Sequence, residues 1–464
     1  LIPRGARLFF FLRCVGGLSR ADEIQSLPWR RTDMRRFLLS LICLALGVFS
    51  AHAYEYPFKD PYVATVLATL PEDEFPLHAV RPARLGDLNP LSDLGSVRDR
   101  EILMRERPVP QILWYDDTLQ YSTALQRGPA PLLFVIAGTG SSYDSANCRY
   151  LQQIFHRAGF HVVTLSSSTY PNFIVSASTT QVAGYIPQDT ADLYQCMNVI
   201  VDDIGRDRIS TINVSGYSLG GTQAAFLAEL DAREKRLGFH KILMINPAVS
   251  LITSAIRLDH LLTDNVRDRE DAARRVAQMV EEVSSAYKDS DDVNFGSELL
   301  AVLQDERAFS ETELQILIGV VFRLAVANMV FTSDVCIGAG YIVPRGHTIT
   351  RDEPLSPYLD AAVSVTFEEY VDEYLLPYLM FRDPSITRES AVAACSLESI
   401  APYLRKTSHI KVLTNRDDPI LTAGNLSFLA ETFGPRLKLY PVGGHCGNLR
   451  YKDNVAAMLE FFQR

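Results

Sequence analysis

The sequence predicts an α/β fold: a mostly parallel sheet with helices on both faces, interrupted by a large helical insertion. Three features carry this. Short uninterrupted apolar runs, such as 131–137 (PLLFVIA), suit central strands buried on both faces. Such runs alternate with helical patterns over 111–250 and again over 406–464. One strand, 208–215, runs straight into a Gly-rich turn and then a helix.

The elements follow in order. Residues 54–110 are rich in Pro and charge, which predicts an extended segment along the surface with one short helix near 62–70. Strands are predicted at 111–114, 119–125, 131–137 and 161–165, with a helix at 144–158. A helix at 188–204 places Leu193, Met197, Ile200, Val201 and Ile204 on one side. The strand at 208–215, a helix at 219–230 and a strand at 241–245 complete the first half. The block 251–405 reads helical almost throughout, with patterns at 270–287, 314–331, 361–381 and 389–404. Ser310-Glu311-Thr312-Glu313 forms a capping box ahead of the strongly apolar 314–331. Alternation resumes with a strand at 409–414, a helix at 421–433, a strand at 437–440 and a last helix ending at 464.

The 314–331 stretch is long enough to raise the question of a membrane span. Arg323 near its centre, with Gln315 and Asn328, predicts a helix buried in protein instead. No stable span is expected after the leader.

Residues 1–53 differ from the rest. Met34-Arg35-Arg36 is a basic start, 37–49 an uncharged apolar run, and Ser50-Ala51-His52-Ala53 a small-residue site. That is the pattern of a secretory signal peptide with cleavage after Ala53. Its apolar run of 13 residues falls short of the ~20 that span a bilayer. The expectation is translation from Met34, residues 1–33 being an upstream extension, and export to the periplasm or medium.

The formal net charge is −10; 8 of the 45 Lys and Arg but only 3 of the 55 Asp and Glu precede Tyr54, so the remainder is more acidic still. An acidic surface repels nucleic acid and anionic lipid, and neither is an expected partner. Cys148, Cys196, Cys336, Cys395 and Cys446 follow the leader. Pairing of Cys148 with Cys196 and of Cys336 with Cys395 is open to an exported chain, although spacing does not select a connectivity. No C-x-x-C or H-x-x-x-H spacing occurs, so no metal or other cofactor is predicted.

The chemistry centres on Gly216-Tyr217-Ser218-Leu219-Gly220. A Gly-x-Ser-x-Gly segment arises by composition on the order of 0.1 times in a chain this long, so context must decide. Here an apolar strand precedes it and a helix follows, the setting that a strained nucleophile turn requires. In that setting the sequence resembles the α/β-hydrolase superfamily over 111–250 and 406–464.

The resemblance implies a chain order of Ser, acid, His. His445, in Val442-Gly443-Gly444-His445, is the only His beyond Asp417-Asp418 and follows the last strand. It is the candidate base. Asp418, directly before Pro419, is the candidate acid, with Asp417 as the alternative; Asn246-Pro247, another place where relatives carry an acid, offers no carboxylate. The oxyanion donors implied are the backbone N–H of Leu219 and one from 137–142, Thr139 first and Gly140 next. That Gly-rich loop lacks the Gly-Lys-Ser/Thr ending of a phosphate-binding loop. Cys446 reads as a packing residue, and Tyr170–Phe173 as a turn or a pocket wall. The family commonly places a lid where 251–405 falls, and its apolar helices suggest a small-molecule or lipid-like acyl substrate. The expected function is an exported carboxylic-ester hydrolase. The alternatives are an acyltransferase, amidase or thioesterase with the same three residues, or a non-catalytic binding protein on that scaffold.

Overall fold

The computed structural model describes residues 54–80, 97–288 and 309–463. The expected leader, with its signal pattern at 34–53, Cys14 and Cys43, lies outside them.

Eight strands form one sheet in the order β1-β2-β4-β3-β5-β6-β7-β8. They are Val97–Ile102, Leu119–Ala124, Ala130–Ile136, His161–Leu165, Ile209–Tyr217, Phe239–Ile245, Ile410–Asn415 and Leu437–Tyr440. β2 runs antiparallel to β1 and β4; all pairings from β4 through β8 are parallel. Every residue of β4 is buried, and so are Leu132–Ile136 of β3, which is why these strands read as unbroken apolar runs.

The N-terminal segment carries α1 (Pro61–Leu67), capped by the Asp60 carboxylate on the Tyr62 and Val63 amides. After β3 comes α2 (Ala146–Arg157), after β4 the short α3 (Pro171–Ser176) and α4 (Ile186–Ile204), and after β5 comes α5 (Leu219–Glu234). The chain moves one way across the sheet from β3 to β4 and the other way from β4 to β5. Right-handed crossovers then put α2 on one face and α4 on the other. β3 and β5 are neighbours whose outgoing loops diverge, so a crevice opens between their carboxyl ends.

Between β6 and β7 the described elements are helices, with a stretch of turns over 338–355: α6 (Leu251–Thr263), α7 (Arg269–Lys288), α8 (Glu311–Ile337), α9 (Ser356–Ser364) and α10 (Phe367–Glu369). α10 passes through a π-helical turn, Tyr370–Leu375, into α11 (Leu376–Arg382), and α12 (Arg388–Ala394) and α13 (Ala401–Lys406) follow. These helices belong to the same compact unit as the sheet, Tyr56–Arg464. After β7 comes α14 (Ala423–Phe433), and α15 (Lys452–Gln463) closes the chain, its Phe462 edge-on to Phe155 of α2 at 5.3 Å.

α8 opens with the expected Ser310/Glu313 capping box. It is the one helix among the described residues long and apolar enough to cross a membrane, yet most of it is buried in protein. Arg323 at its centre makes a bidentate ion pair with Asp259 of α6, 2.7 and 2.8 Å, both side chains almost fully enclosed. Asp259 also accepts the Phe367 amide, so the pair joins α6, α8 and the start of α10. At Gly319 the α6 backbone comes so close that a Cβ would lie 2.4 Å from the Leu262 nitrogen.

Four local expectations are corrected. Residues 111–114 are not a strand but part of a 3-10 turn, Gln111–Asp116, in which only Leu113 and Asp116 are buried. A strand was not expected at Val97–Ile102; its Arg-Asp-Arg-Glu stretch is an edge strand protected by charge, which hides the period-2 signal. The pattern at 361–381 breaks at Val365, because Thr366 and Glu369 form a new capping box. The pattern at 389–404 breaks at Cys395-Ser396, where Ser396 bridges to Ser250 and Pro402 restarts the helix. The five cysteines after the leader are all free thiols, so the two pairings considered above are not formed.

Candidate active site

Strands β5, β6, β7 and β8 end side by side, and each delivers part of one cluster. Ser218 sits between β5 and α5 at φ 55°, ψ −123°, a conformation costly for any residue with a Cβ. Close packing holds it there. A Cβ on Gly216 would lie 2.3 Å from the Gly220 carbonyl, and one on Gly220 would lie 2.3 Å from the Ile136 carbonyl oxygen. The Ser218 amide donates to the Ile245 carbonyl at 2.9 Å, extending the β5–β6 ladder into the turn.

The His445 imidazole faces Ser218, with Nε2 2.9 Å from the hydroxyl oxygen. Its Nδ1 lies 3.0 and 3.1 Å from the two carboxylate oxygens of Asp418. Asp418 is 3% exposed. Its carboxylate also accepts from the Asn246 side-chain amide at 3.0 Å and the Ile420 N–H at 3.1 Å, which hold it towards the ring. Burial opposes a charge on His445, while the Asp418 carboxylate and the neighbouring Cys446 favour it; together these two raise the imidazole well above its ordinary 6.5.

The two neighbouring aspartates divide the work. Asp417 accepts the amides of Gly443 and Gly444 at 3.1 and 3.0 Å, so it shapes the loop that carries His445. Burial raises its pKa, against the pull of those two bonds. The candidate acid and its alternative thus both serve the loop, but only Asp418 bonds to the imidazole among the described contacts.

Several residues of this assembly carry no sequence motif. Asn415 and Asn448, both buried, exchange side-chain hydrogen bonds of 3.0 and 2.7 Å, and Asn415 also donates to the Gly444 carbonyl. Thr65, on α1, accepts the His445 amide at 2.9 Å and donates to the Pro61 carbonyl. A Cβ on Gly444 would lie 2.3 Å from that same carbonyl oxygen. The N-terminal helix is therefore a support for the base loop, which the Pro-rich composition of its segment did not disclose. The spacing Asp60-Pro61 was its one legible signal, as a helix start.

The loop after β3 lies against the nucleophile: a Cβ on Gly138 would sit 3.2 Å from the Ser218 Cβ. The Leu219 amide is the first of α5 and has no hydrogen-bond partner among the described residues; the same holds for Thr139. Gly140 differs from expectation as the next candidate donor. Its N–H is committed to the Thr169 hydroxyl at 2.9 Å. α8 rests on this loop, with Ala325 Cβ only 2.6 Å from where a Gly140 Cβ would be.

Cys446 has φ 62° and its Sγ is 4.0 Å from His445 Nε2, on the edge of the cluster. Tyr170 precedes α3, and Asn172 bonds to Asp116 and the Thr118 carbonyl, so this segment anchors the start of β2. Among the described residues no three His, Cys, Asp or Glu side chains gather as a metal site.

Sheet order, the strained Ser218 turn after β5 and the late His445 loop together decide the architecture. The chain has the α/β-hydrolase fold. Its topology carries that statement, because no family model and no curated protein sequence matches. Among solved structures it is similar to an esterase of Pyrococcus furiosus, at 12% identity over 83% of this chain and 97% of that one, TM-score 0.39. It is similar to brefeldin A esterase, a bacterial protein, at 14% identity over 86% and 90%, TM-score 0.39. It is similar also to a bacterial membrane phospholipase A, at 16% identity over 93% and 98%, TM-score 0.38. At such identities and TM-scores these likenesses carry no argument about activity, and the chemistry of this chain rests on its own geometry.

Proposed function

We propose that this chain is an exported serine hydrolase that cleaves a carboxylic ester through an acyl-enzyme on Ser218. The observation that carries the reading is the unbroken hydrogen-bonded line from Asp418 through His445 to a serine hydroxyl on a strained turn. Such a line is what a weak nucleophile needs: a base within reach and a carboxylate that fixes the tautomer of that base.

The steps follow from the distances. The Ser218 oxygen attacks the ester carbon while its proton passes to His445 Nε2. The carbonyl electron pair moves onto oxygen, facing the Leu219 and Thr139 amides. The C–O bond to the alcohol breaks as His445 returns the proton to the leaving oxygen. Water, deprotonated by the same imidazole, then attacks the acyl-enzyme; the bond to Ser218 breaks as His445 returns the proton to the Ser218 oxygen, and the acid is released. Asp418 stabilises the imidazolium in both halves. In this reading 251–405 is a lid: α8 touches the loop after β3 and keeps water from the crevice. Its apolar character supports an acyl chain as the part of the substrate it covers. Export rests on the leader's three-part pattern.

A series of p-nitrophenyl esters tests the proposal. A rapid burst of nitrophenol, stoichiometric with protein and followed by slower turnover, is expected and should vanish in Ser218→Ala. Turnover that survives that substitution would overturn the reading.

A further inference from the structure

The polypeptide directly after β4 reads Ser166-Ser167-Ser168-Thr169. Four consecutive hydroxyls at the carboxyl end of a buried strand are unusual, and all four residues are buried. Buried hydroxyls need partners. Here two of the four hydroxyls, those of Ser166 and Thr169, bond to the loop that follows β3, and Ser167 reaches that loop through its backbone.

Ser166 Oγ accepts the Tyr143 amide at 2.9 Å. The Ser167 amide donates to the Ser141 carbonyl at 3.0 Å. Thr169 Oγ1 accepts the Gly140 amide at 2.9 Å and lies 2.9 Å from Ser167 Oγ. The loop is thus latched at residues 140, 141 and 143. Around Gly140 itself, one inner turn bond, from the Ser141 amide to the Gly138 carbonyl at 3.0 Å, holds the loop from within. Gly140 is at φ 68°, a left-handed position open to glycine without strain, so its own backbone preference does not fix the turn.

We propose that Thr169 is a positioning residue for the oxyanion site. By taking the Gly140 amide, it fixes the turn in which the preceding amide, Thr139, stays free beside Ser218. The hydroxyl does this as an acceptor, and it is also hydrogen-bonded to Ser167 Oγ, a pair in which either oxygen can donate. That bond explains why a hydroxyl is present where a Val of the same shape would pack equally well. The remaining serine, Ser168, faces away: it donates to Asp189 and accepts from Gln223 of α5.

An oxyanion donor matters only as charge develops, so its displacement lowers kcat and leaves ground-state binding nearly unchanged. A misplacement approaching 1 Å costs on the order of 100-fold. Thr169→Val is therefore expected to reduce kcat for a p-nitrophenyl ester by roughly 10- to 100-fold with KM within about twofold. A trifluoromethyl ketone, which forms a tetrahedral adduct, should bind more weakly by the same factor as kcat/KM. Thr169→Ser keeps the acceptor and should restore both. A purely structural role would predict lost protein or lost binding, without the match between adduct affinity and kcat/KM.

The inference rests on Ser218 being the nucleophile. If the wild-type chain took no fluorophosphonate probe, that reading would fall and this one with it. If the wild type were labelled and Thr169→Val were labelled at the same rate, this inference alone would fall. A Thr169→Ser variant as slow as Thr169→Val would also overturn it. Should Thr169→Val not fold, Ser167→Ala decides the matter: it removes the partner of the Thr169 hydroxyl and is expected to slow labelling, and an unchanged rate would overturn the proposal.

Discussion

Replacing Gly220 by Ala places a methyl group 2.3 Å from the Ile136 carbonyl oxygen and 2.7 Å from that of Ala137. Contacts below 3.0 Å do not persist, so the turn after β5 and the end of β3 must separate by about 0.7 Å. Both atoms in the way are backbone, and no side chain can swing clear. The separation opens the gap between Ser218 and the loop at Gly138 and Thr139. Overpacking of this kind costs about 1–3 kcal/mol, or roughly 1–4 °C in Tm for a chain of this size. The chemical loss is larger, roughly 30- to 100-fold in the rate of fluorophosphonate labelling, because near-attack geometry is lost. The internal control is Gly424→Ala. That glycine is exposed in the first turn of α14, and an added Cβ meets only Thr422 Oγ1 at 3.6 Å. It should gain about 0.5 kcal/mol with labelling unchanged. Differential scanning fluorimetry and a labelling time course on the two variants read both effects. Gly220→Ala labelled within twofold of wild type at an unaltered Tm would refute the packing argument.

Further expectations concern the base, its supports and the inserted helices. Asp418→Asn should lower kcat by about 10⁴-fold, whereas Asp417→Asn, which touches only the loop amides, should cost far less in the same steady-state assay. His445 must be neutral to accept a proton, and its pKa lies above 6.5, so kcat/KM should fall as pH drops through that raised value. In Asp418→Asn the carboxylate charge that helps raise the imidazole is gone, and the acid limb of the residual pH–rate profile should move to lower pH; movement upward would contradict the assignment. Thr65→Val removes the acceptor of the His445 amide and should cost about 1 kcal/mol in the ester-hydrolysis barrier, with Thr65→Ser near wild type. Arg323→Met strands the Asp259 carboxylate in the interior and should destabilise by about 3–5 kcal/mol in urea titration, while Arg323→Met combined with Asp259→Leu should recover most of it.

What was legible in the sequence was local. β4 and β8 match the predicted strands residue for residue, because each is a short strand pattern bounded by turn residues. Ser218, Asp418 and His445 were each readable from a strand end and chain order. What was not legible is polar and long-range. Asn246 looked like a place where no acid could stand, yet its amide holds Asp418. Asn415 and Asn448 pair across 33 residues, and Thr65 reaches His445 across 380. Neither periodicity nor spacing encodes such contacts. The commitment of the Gly140 amide to Thr169 was hidden for the same reason, since it depends on how two loops meet. The broken helices at 361–381 and 389–404 had local signals, Thr366 with Glu369 and Pro402, which the longer apolar period masked.

The central claim is that Ser218 is a nucleophile activated by His445. Incubation with a biotinylated fluorophosphonate, followed by digestion and mass spectrometry, tests it most directly. The account predicts one modified peptide, the phosphonate on Ser218, with labelling abolished in Ser218→Ala and strongly slowed in His445→Ala. A folded wild-type chain that stays unlabelled, or a label found on another residue, would contradict it.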